Sequence, residues 1–270
     1  MSGPDGRADP RFAAAGIQIA AVSERFSQTA QQYIARETLH QRAIQPRSVR
    51  KKKGNTVSAG STPQYDQRQI VSFYGFTTIG KSAVIHETRQ MLTVDKEIIS
   101  TEFEGRRSFR DALLSRDDVV KQKLLNDYDR ETLRGIATDL GQMVLLFDRT
   151  GIQNFTFAFE RNDVIGGRPA MVLRYVQRGG GEGVRITESG KQMRAHLQGW
   201  LWLRLPDYLT VRITMVSNRT IKKHDVRDEA EVDYAENVNG ALLPSHVVHR
   251  RWEDDILAAE DDFQYSDWQD

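Results

Sequence analysis

Two short stretches with large apolar side chains at every second position constrain the fold of this chain most. Phe155, Phe157 and Phe159 alternate with small or polar residues, and Trp200 and Trp202 alternate with leucines in the run 199–205. Successive side chains of a β-strand point to opposite faces, so each aromatic set lines one face of a strand. The sequence therefore predicts a sheet whose aromatic face is covered by helices or left open to an apolar ligand.

The other segments predict a mostly antiparallel sheet. A weak helical stripe of Ile17, Ala21 and Val22 starts near residue 13. Runs rich in β-branched and aromatic residues, separated by Gly, Asp and Asn, then predict strands in a meander. These strands are expected at about 33–40, 69–76, 88–94 with a continuation over 98–104, 154–161, 170–178, 184–188, 192–205, 209–217, 226–236, 243–252 and 263–268.

A helical insertion is expected between these strands, at about 108–149. Ser115 with Asp118 three residues later fits a capping box, with Ser115 as the N-cap of a first helix. A second helix is predicted over 129–148, since its apolar residues recur at helical spacing. This apolar stripe comprises Leu133, Ile136, Ala137, Leu140, Met143, Val144 and Phe147. The second helix could cover the three phenylalanines.

The order of elements indicates one α+β domain over 13–270 rather than two domains. Residues 1–12 are polar and read as a disordered leader without the apolar centre of a signal peptide. The stretch 46–64, with the basic run 47–53, is expected to be a flexible loop.

Composition excludes several classes of function. The net charge of +1 argues against nucleic acid as a partner. No run approaches the ~20 apolar residues that a membrane-spanning helix needs, so no integral membrane segment is expected. The chain has no cysteine, which removes disulfides and thiolate chemistry but leaves the compartment open.

No catalytic, cofactor or metal site is predicted. The chain lacks a Gly-x-Ser-x-Gly elbow. His246 and His249 are three residues apart on a predicted strand, which sends their rings to opposite faces. Glu87 and Asp139 are interpreted as structural ion-pair partners of nearby arginines, as is Asp95. The pairs Asp254–Asp255 and Asp261–Asp262 are expected to be exposed.

Several motifs resemble the lipoprotein-carrier superfamily, which includes LolA, LolB, LppX and RseB-type sensors. The run Gly199-Trp200-Leu201-Trp202-Leu203, followed by residues 211–213, is similar to a strand pair of such domains. Residues 231–234 and then 240–244, ending in Leu243-Pro244, resemble their late hairpin. The segments 70–76, 87–90 and 138–142 are more closely similar to uncharacterised secreted proteins of acidobacteria. This likeness covers about residues 30–268.

The resemblance implies a strongly curved antiparallel sheet, a half-barrel, with helices packed on its concave face. It further implies an exported, periplasmic or secreted protein without enzymatic activity, whose partner is a lipid or lipoprotein. The candidate ligand-binding residues are then the aromatic strands and the helical stripe: Trp200, Trp202, Phe155, Phe157, Phe159, Leu140 and Val144. Two alternatives stay open, namely that these residues form an ordinary core, and that the protein is an envelope interaction or sensor domain with a self-filled cavity.

Overall fold

The computed structural model describes residues 10–45, 63–80, 84–178, 184–188, 191–221 and 223–270. Within these ranges there are three α-helices, α1 (Pro10–Thr29), α2 (Glu102–Leu114) and α3 (Asp118–Glu131). The strands are β1 (Ile34–Ile44), β2 (Tyr65–Thr78), β3 (Ile85–Val94), β4 (Glu97–Ile98), β5 (Phe155–Ile165), β6 (Arg168–Gln177), β7 (Val184–Glu188), β8 (Lys191–Ala195), β9 (Gln198–Arg204), β10 (Leu209–Ile221), β11 (His224–Glu236), β12 (Leu242–Glu253) and β13 (Ile256–Gln269).

Eleven strands form one large antiparallel sheet in the order β4-β3-β2-β1-β13-β12-β11-β10-β9-β6-β5, and β7 pairs with β8 separately. Among the described strands this sheet is open, with β4 at one edge and β5 at the other. The predicted antiparallel α+β class is confirmed.

The first and last strands are neighbours in the middle of the sheet. The pairing of β1 with β13 runs from Ile34 opposite Gln269 to Ala43 opposite Ala259. The hairpin strand β2 continues outward from β1 on the other side. The centre of the sheet therefore joins segments from the two ends of the described chain.

One face of the sheet carries the main hydrophobic core, and we call it the core face. It is marked by the buried side chains of Leu173 on β6, Leu203 on β9, Ile213 on β10, Val232 on β11 and Val247 on β12. Neighbouring residues on these strands point to the opposite face, as the period of two requires.

Helix α1 packs on the core face. Its buried residues Ala15, Ile19, Val22 and Phe26 are spaced three or four apart, which places them on one side of a helix. The predicted stripe was wrong at Ile17, which is exposed.

Helix α2 packs on the opposite face, where Phe109 contacts Phe73 of β2 and Leu92 of β3. The strand predicted over 98–104 is wrong, since β4 ends at Ile98 and a helix begins at Glu102. The reason is an N-cap at Thr101, whose hydroxyl accepts from the Glu104 N–H at 3.3 Å and donates to the Glu104 carboxylate at 2.8 Å.

Helix α3 begins two residues later than the capping pattern predicts. Its N-cap is Asp117, which accepts a hydrogen bond of 2.9 Å from the Val119 N–H. Ser115, the predicted N-cap, accepts from the Asp117 N–H at 3.0 Å and so shapes the turn before the helix.

The helix predicted over 129–148 is wrong. Helix α3 ends at Glu131, and the chain then runs irregularly to a short 3₁₀ turn, Met143–Phe147. Gly135 (φ 94°) and Asp139 (φ 62°) have left-handed backbone angles, which no α-helix contains. The second half of the apolar stripe is nevertheless buried against the core face, at Leu140, Met143, Val144 and Phe147, whereas Leu133, Ile136 and Ala137 are only partly buried.

Several predicted segments lie wholly or partly outside the described residues. The leader 1–12 is described only from Pro10, where α1 already begins. Of the basic loop 46–64, residues 46–62 are not described.

Candidate functional site

The predicted ligand-binding residues fall into two groups on opposite faces of the sheet. Leu140, Val144, Phe155 and Phe157 belong to the main core on the core face. Trp200 and Trp202 lie on the opposite face in a separate cluster with Ala170 and Val172. No single pocket can therefore include both groups.

The core-face group is organised around Phe147 of the 3₁₀ turn. Its ring centroid lies 5.0 Å from Phe155, 6.0 Å from Phe157 and 5.0 Å from Tyr175 of β6. The 140–147 segment thus covers the first two phenylalanines of β5, as the sequence led us to expect of a helix. Phe159 is 46% exposed at the edge of the sheet.

The tryptophan group is covered by polar side chains rather than by a helix. Trp202 is buried, and its indole N–H donates to Asp163 at 3.0 Å. The guanidinium groups of Arg161 and Arg212 lie 5.7 and 5.9 Å from its ring centre. Leucines 201 and 203, rather than the tryptophans, face the main core.

Helix α1 connects distant parts of the core face. The Phe26 ring lies 5.2 Å from Phe76 of β2 and 6.4 Å from Tyr234 of β11, both edge to face. Between β2 and β11 lie three strands, β1, β13 and β12. Nearby on α1, the Ser23 hydroxyl is fully buried and has no hydrogen-bond partner among the described residues.

A buried cluster of charges lies where β1, β3 and α3 meet. Arg89 donates to Glu37 at 2.8 and 2.9 Å and to Glu87 at 2.8 Å, and all three side chains are almost inaccessible. The aromatic rings of Tyr74 and Tyr128 lie 5.0 and 4.9 Å from the guanidinium. The predicted structural pairing of Glu87 with an arginine is confirmed.

Glu87 also holds the irregular segment that replaces the predicted helix. Its carboxylate accepts from the backbone N–H of Asp139 at 3.1 Å and of Gly141 at 2.5 Å, while Asp139 accepts from the Glu87 N–H at 2.9 Å. These bonds take the place of the helical ones that the segment lacks.

A cavity of about 120 Å³ opens beside this cluster, lined by His86, Glu87, Arg89, Gln122, Leu125, Tyr128, Asp129, Thr138 and Asp139. The hydrogen bond that the protonated His86 ring donates to Asp139 raises the pKa of His86, and burial raises the pKa of Asp129. The lining is polar and the volume suits a few water molecules.

A second buried network crosses the other half of the core face. His249 of β12 lies 2.9 Å from Asp228 of β11 and 2.8 Å from Asp261 of β13, and Gln41 donates to Asp261 at 2.7 Å. Burial opposes ionisation of Asp228, yet the hydrogen bond from His249 and the charge of Arg251 hold its pKa well below the usual range. The expectation that Asp261 is exposed is wrong.

The remaining candidates are simple surface pairs. His246 points away from the core face and pairs with Asp262 at 3.0 Å, so the two predicted histidines do lie on opposite faces. Asp95 pairs with Arg68 at 3.3 Å. Among the described residues, no group of three or more His, Asp or Glu side chains is arranged to hold a metal ion.

Sequence reasoning missed Glu37, His249 with its two aspartates, and α1 as the cover of the core face. The alternation of side chains along a strand could have shown that Glu37 and Asp261 lie on the buried face. Asp261 is two and four residues from Phe263 and Tyr265, and Glu37 is two residues from Leu39, so each shares the apolar side of its strand.

Comparison with known proteins gives distant structural likenesses. No family model matches the chain, and no curated protein matches it significantly. A DUF1329 family protein from Desulfovibrio piger has a TM-score of 0.37 at 11% identity, covering 97% of this chain and 93% of that chain. A domain described as an outer membrane lipoprotein-sorting protein from Vibrio parahaemolyticus has a TM-score of 0.37 at 9% identity, with 94% and 92% covered.

A LolA superfamily protein from Nitrosomonas europaea has a TM-score of 0.30 at 9% identity, covering 92% of this chain and 91% of that chain. A TM-score below 0.5 does not by itself establish a common fold, so no role follows from these likenesses. In the described part of the chain, no helix has the length and apolar character required to cross a membrane.

Proposed function

We propose that this chain is a non-enzymatic, exported carrier-type protein that binds an apolar ligand, a lipid or lipidated peptide, on the core face of a half-barrel sheet. The observation that carries the proposal is the position of Phe26, whose ring contacts β2 and β11 at once. Neighbouring strands are ~4.8 Å apart, so a flat sheet would hold these two strands roughly 19 Å apart. Contact by one ring favours a curved sheet with α1 in its concavity.

In this proposal α1 occupies the place that the ligand takes when bound. The helix covers an apolar surface, and its contact includes the unpaired Ser23 hydroxyl. A buried hydroxyl without a partner costs ~1–3 kcal/mol, which weakens the docking of α1. Ligand binding then displaces α1 from the 3₁₀ turn that carries Val144. Phe155 and Phe157 lie beneath the 140–147 segment, so they join the site when this segment moves together with α1. A ligand role for Trp200 and Trp202 stays a prediction that concerns the opposite face.

The test uses the absence of cysteine from the chain. In the variant Ser23→Cys a buried hydroxyl becomes a thiol that a maleimide can reach only when α1 leaves the sheet. We expect slow labelling alone and at least about tenfold faster labelling with a long-chain fatty acid or a diacyl phospholipid, since opening controls the rate. Lipid should also co-purify under mild conditions and appear in native mass spectra.

Matched variants show whether the response is local. Ala112→Cys, on the buried side of α2 at the opposite face, should stay protected with lipid, whereas general unfolding would expose both thiols. Ile17→Cys, on the exposed side of α1, should label fast in every condition. Unchanged labelling of Ser23→Cys, together with no co-purifying lipid, would overturn the proposal.

A second candidate is an envelope interaction or sensor domain whose concavity is filled by its own segments. The complete burial of Val144 and Phe147 favours this alternative. It predicts that Ser23→Cys stays protected with every lipid tested.

A further inference from the structure

Helix α2 has an outward face that differs from the rest of the surface. Its inward side buries Gly105, Phe109 and Ala112. On the outward side lie Phe103, Arg107, Arg110 and Leu114, at spacings of four, three and four residues that place them on one side of a helix. We call these four residues the α2 outer face.

The two apolar members of the α2 outer face are unusually exposed. Phe103 is 78% and Leu114 is 84% accessible. More apolar side chains adjoin each end of the helix, with Ile98 and Ile99 before it and Val119 and Val120 after it. Six of the twelve exposed large apolar residues in the described chain thus lie between 98 and 120. Such a concentration marks an interaction surface.

The cations of this face are available for a partner. The Arg107 side chain is 77% exposed, and its guanidinium lies 4.0 Å from the exposed carboxylate of Asp111. An ion pair of this kind in solvent contributes little to stability. Arg110 is also exposed, and it donates to a main-chain oxygen of Asp270 at 3.1 Å. Two guanidinium groups therefore lie between two apolar anchors about 16 Å apart along the axis, at ~1.5 Å per residue.

We propose that the α2 outer face docks on a membrane surface that carries anionic phospholipid headgroups. A helix lying flat at a bilayer inserts Phe and Leu below the headgroups and places arginines among the phosphates. The alignment of both anchors and both cations along one straight line fits a planar partner better than a groove. This docking requires no ligand on the core face, so its test is independent of lipid carriage.

The test is vesicle flotation with the full chain. We expect binding to phosphatidylglycerol–phosphatidylcholine vesicles, with weaker binding to phosphatidylcholine alone and weaker binding as salt rises, because salt screens exposed charges. The double variant Phe103→Asp, Leu114→Asp should bind at least about tenfold more weakly, because it loses both anchors. Arg107→Glu should selectively weaken binding to the anionic vesicles.

A matched control variant introduces two aspartates at exposed apolar positions outside the α2 outer face. Ile17 is 74% exposed and Val238 is fully exposed, so Ile17→Asp, Val238→Asp alters net charge equally and should bind as the parent does. All variants should keep the parent's circular dichroism, since the altered residues are exposed. Failure of the parent to float with anionic vesicles, or equal flotation of the anchor variant, would overturn the proposal. A dimer that the anchor variant abolishes, without vesicle binding, would identify a second copy as the occupant instead.

Discussion

His249 and Asp261 form a 2.8 Å hydrogen bond between neighbouring strands β12 and β13, and both side chains are buried. The other ring nitrogen of His249 lies 2.9 Å from Asp228 on β11. A neutral imidazole has one N–H, so it can donate to only one of these carboxylates. A protonated ring can donate to both carboxylates at once and so links three strands, in agreement with the raised pKa of His249.

This link should make the protein less stable as pH rises. Burial disfavours the charged ring, yet the hydrogen bonds to Asp228 and Asp261 raise the pKa of His249. The stabilisation is complete below the unfolded-state pKa of about 6.5 and is lost as pH rises through the higher folded-state value, at about 1.4 kcal/mol per unit of pKa difference. Urea unfolding at a series of pH values measures this slope. The variant His249→Gln should be less stable than the parent and should not lose stability over this pH range. Equal pH slopes in the two proteins would contradict a protonated His249 in the folded state.

Removing the charge of Arg89 should be strongly destabilising. Arg89→Met leaves Glu37 and Glu87 as buried carboxylates without a cation, which we expect to cost ~3–5 kcal/mol in the free energy of unfolding. Arg130 pairs with Asp127 in solvent, so Arg130→Met should cost at most about 0.5 kcal/mol. Denaturant titration compares the two. Similar small losses in both variants would show that the buried pair is not held as described.

Two substitutions of glycine by alanine should have opposite effects on the stability of the protein. A Cβ on Gly141 would lie 2.7 Å from the Tyr74 hydroxyl and 2.8 Å from Glu87 Oε1, so Gly141→Ala should destabilise by ~1–3 kcal/mol. A Cβ on Gly16 of α1 meets nothing within 4 Å, so Gly16→Ala should stabilise by ~0.5–1 kcal/mol. Thermal unfolding measures both changes, and a tolerated Gly141→Ala would argue against the close contact with Glu87.

Trp202 should contribute to stability although it lies outside the main core. Trp202→Ala removes a buried ring together with its bond to Asp163, and we expect a loss of ~3–5 kcal/mol. Phe159→Ala, at an exposed position on the sheet edge, should cost less than about 1 kcal/mol. A small loss for Trp202→Ala would favour a role for this residue in binding rather than in packing.

The strands could be predicted from sequence, because a period of two and the turn residues act locally. The alternation around Trp200 and Trp202 predicted β9 and its leucines on the other face. The single strand predicted over 192–205 was wrong in its first part, which forms β8 and pairs with β7 outside the main sheet. The register and order of the sheet could not be predicted, since β1 pairs with β13 across the length of the chain.

The predicted helix over 129–148 failed for a physical reason. The spacing of Ile136, Leu140 and Val144 is that of a helix, but an irregular segment that lies along a sheet buries Leu140 and Val144 as well and partly buries Ile136. The outcome depends on Glu87, about fifty residues earlier, which binds the backbone at Asp139 and Gly141. A local pattern contains no information about that distant carboxylate.

The pairing of β1 with β13 has a consequence for biosynthesis. The hydrogen bond between Gln41 and Asp261 joins residues 220 positions apart. While the ribosome is still translating the segments between them, β1 has only β2 beside it, and its other edge is unpaired. Contacts of such long range form slowly. The pairing of β1 with β13 can form only after all the described strands between them have been made, so the nascent chain stays incompletely folded and exposed to aggregation until β13 emerges.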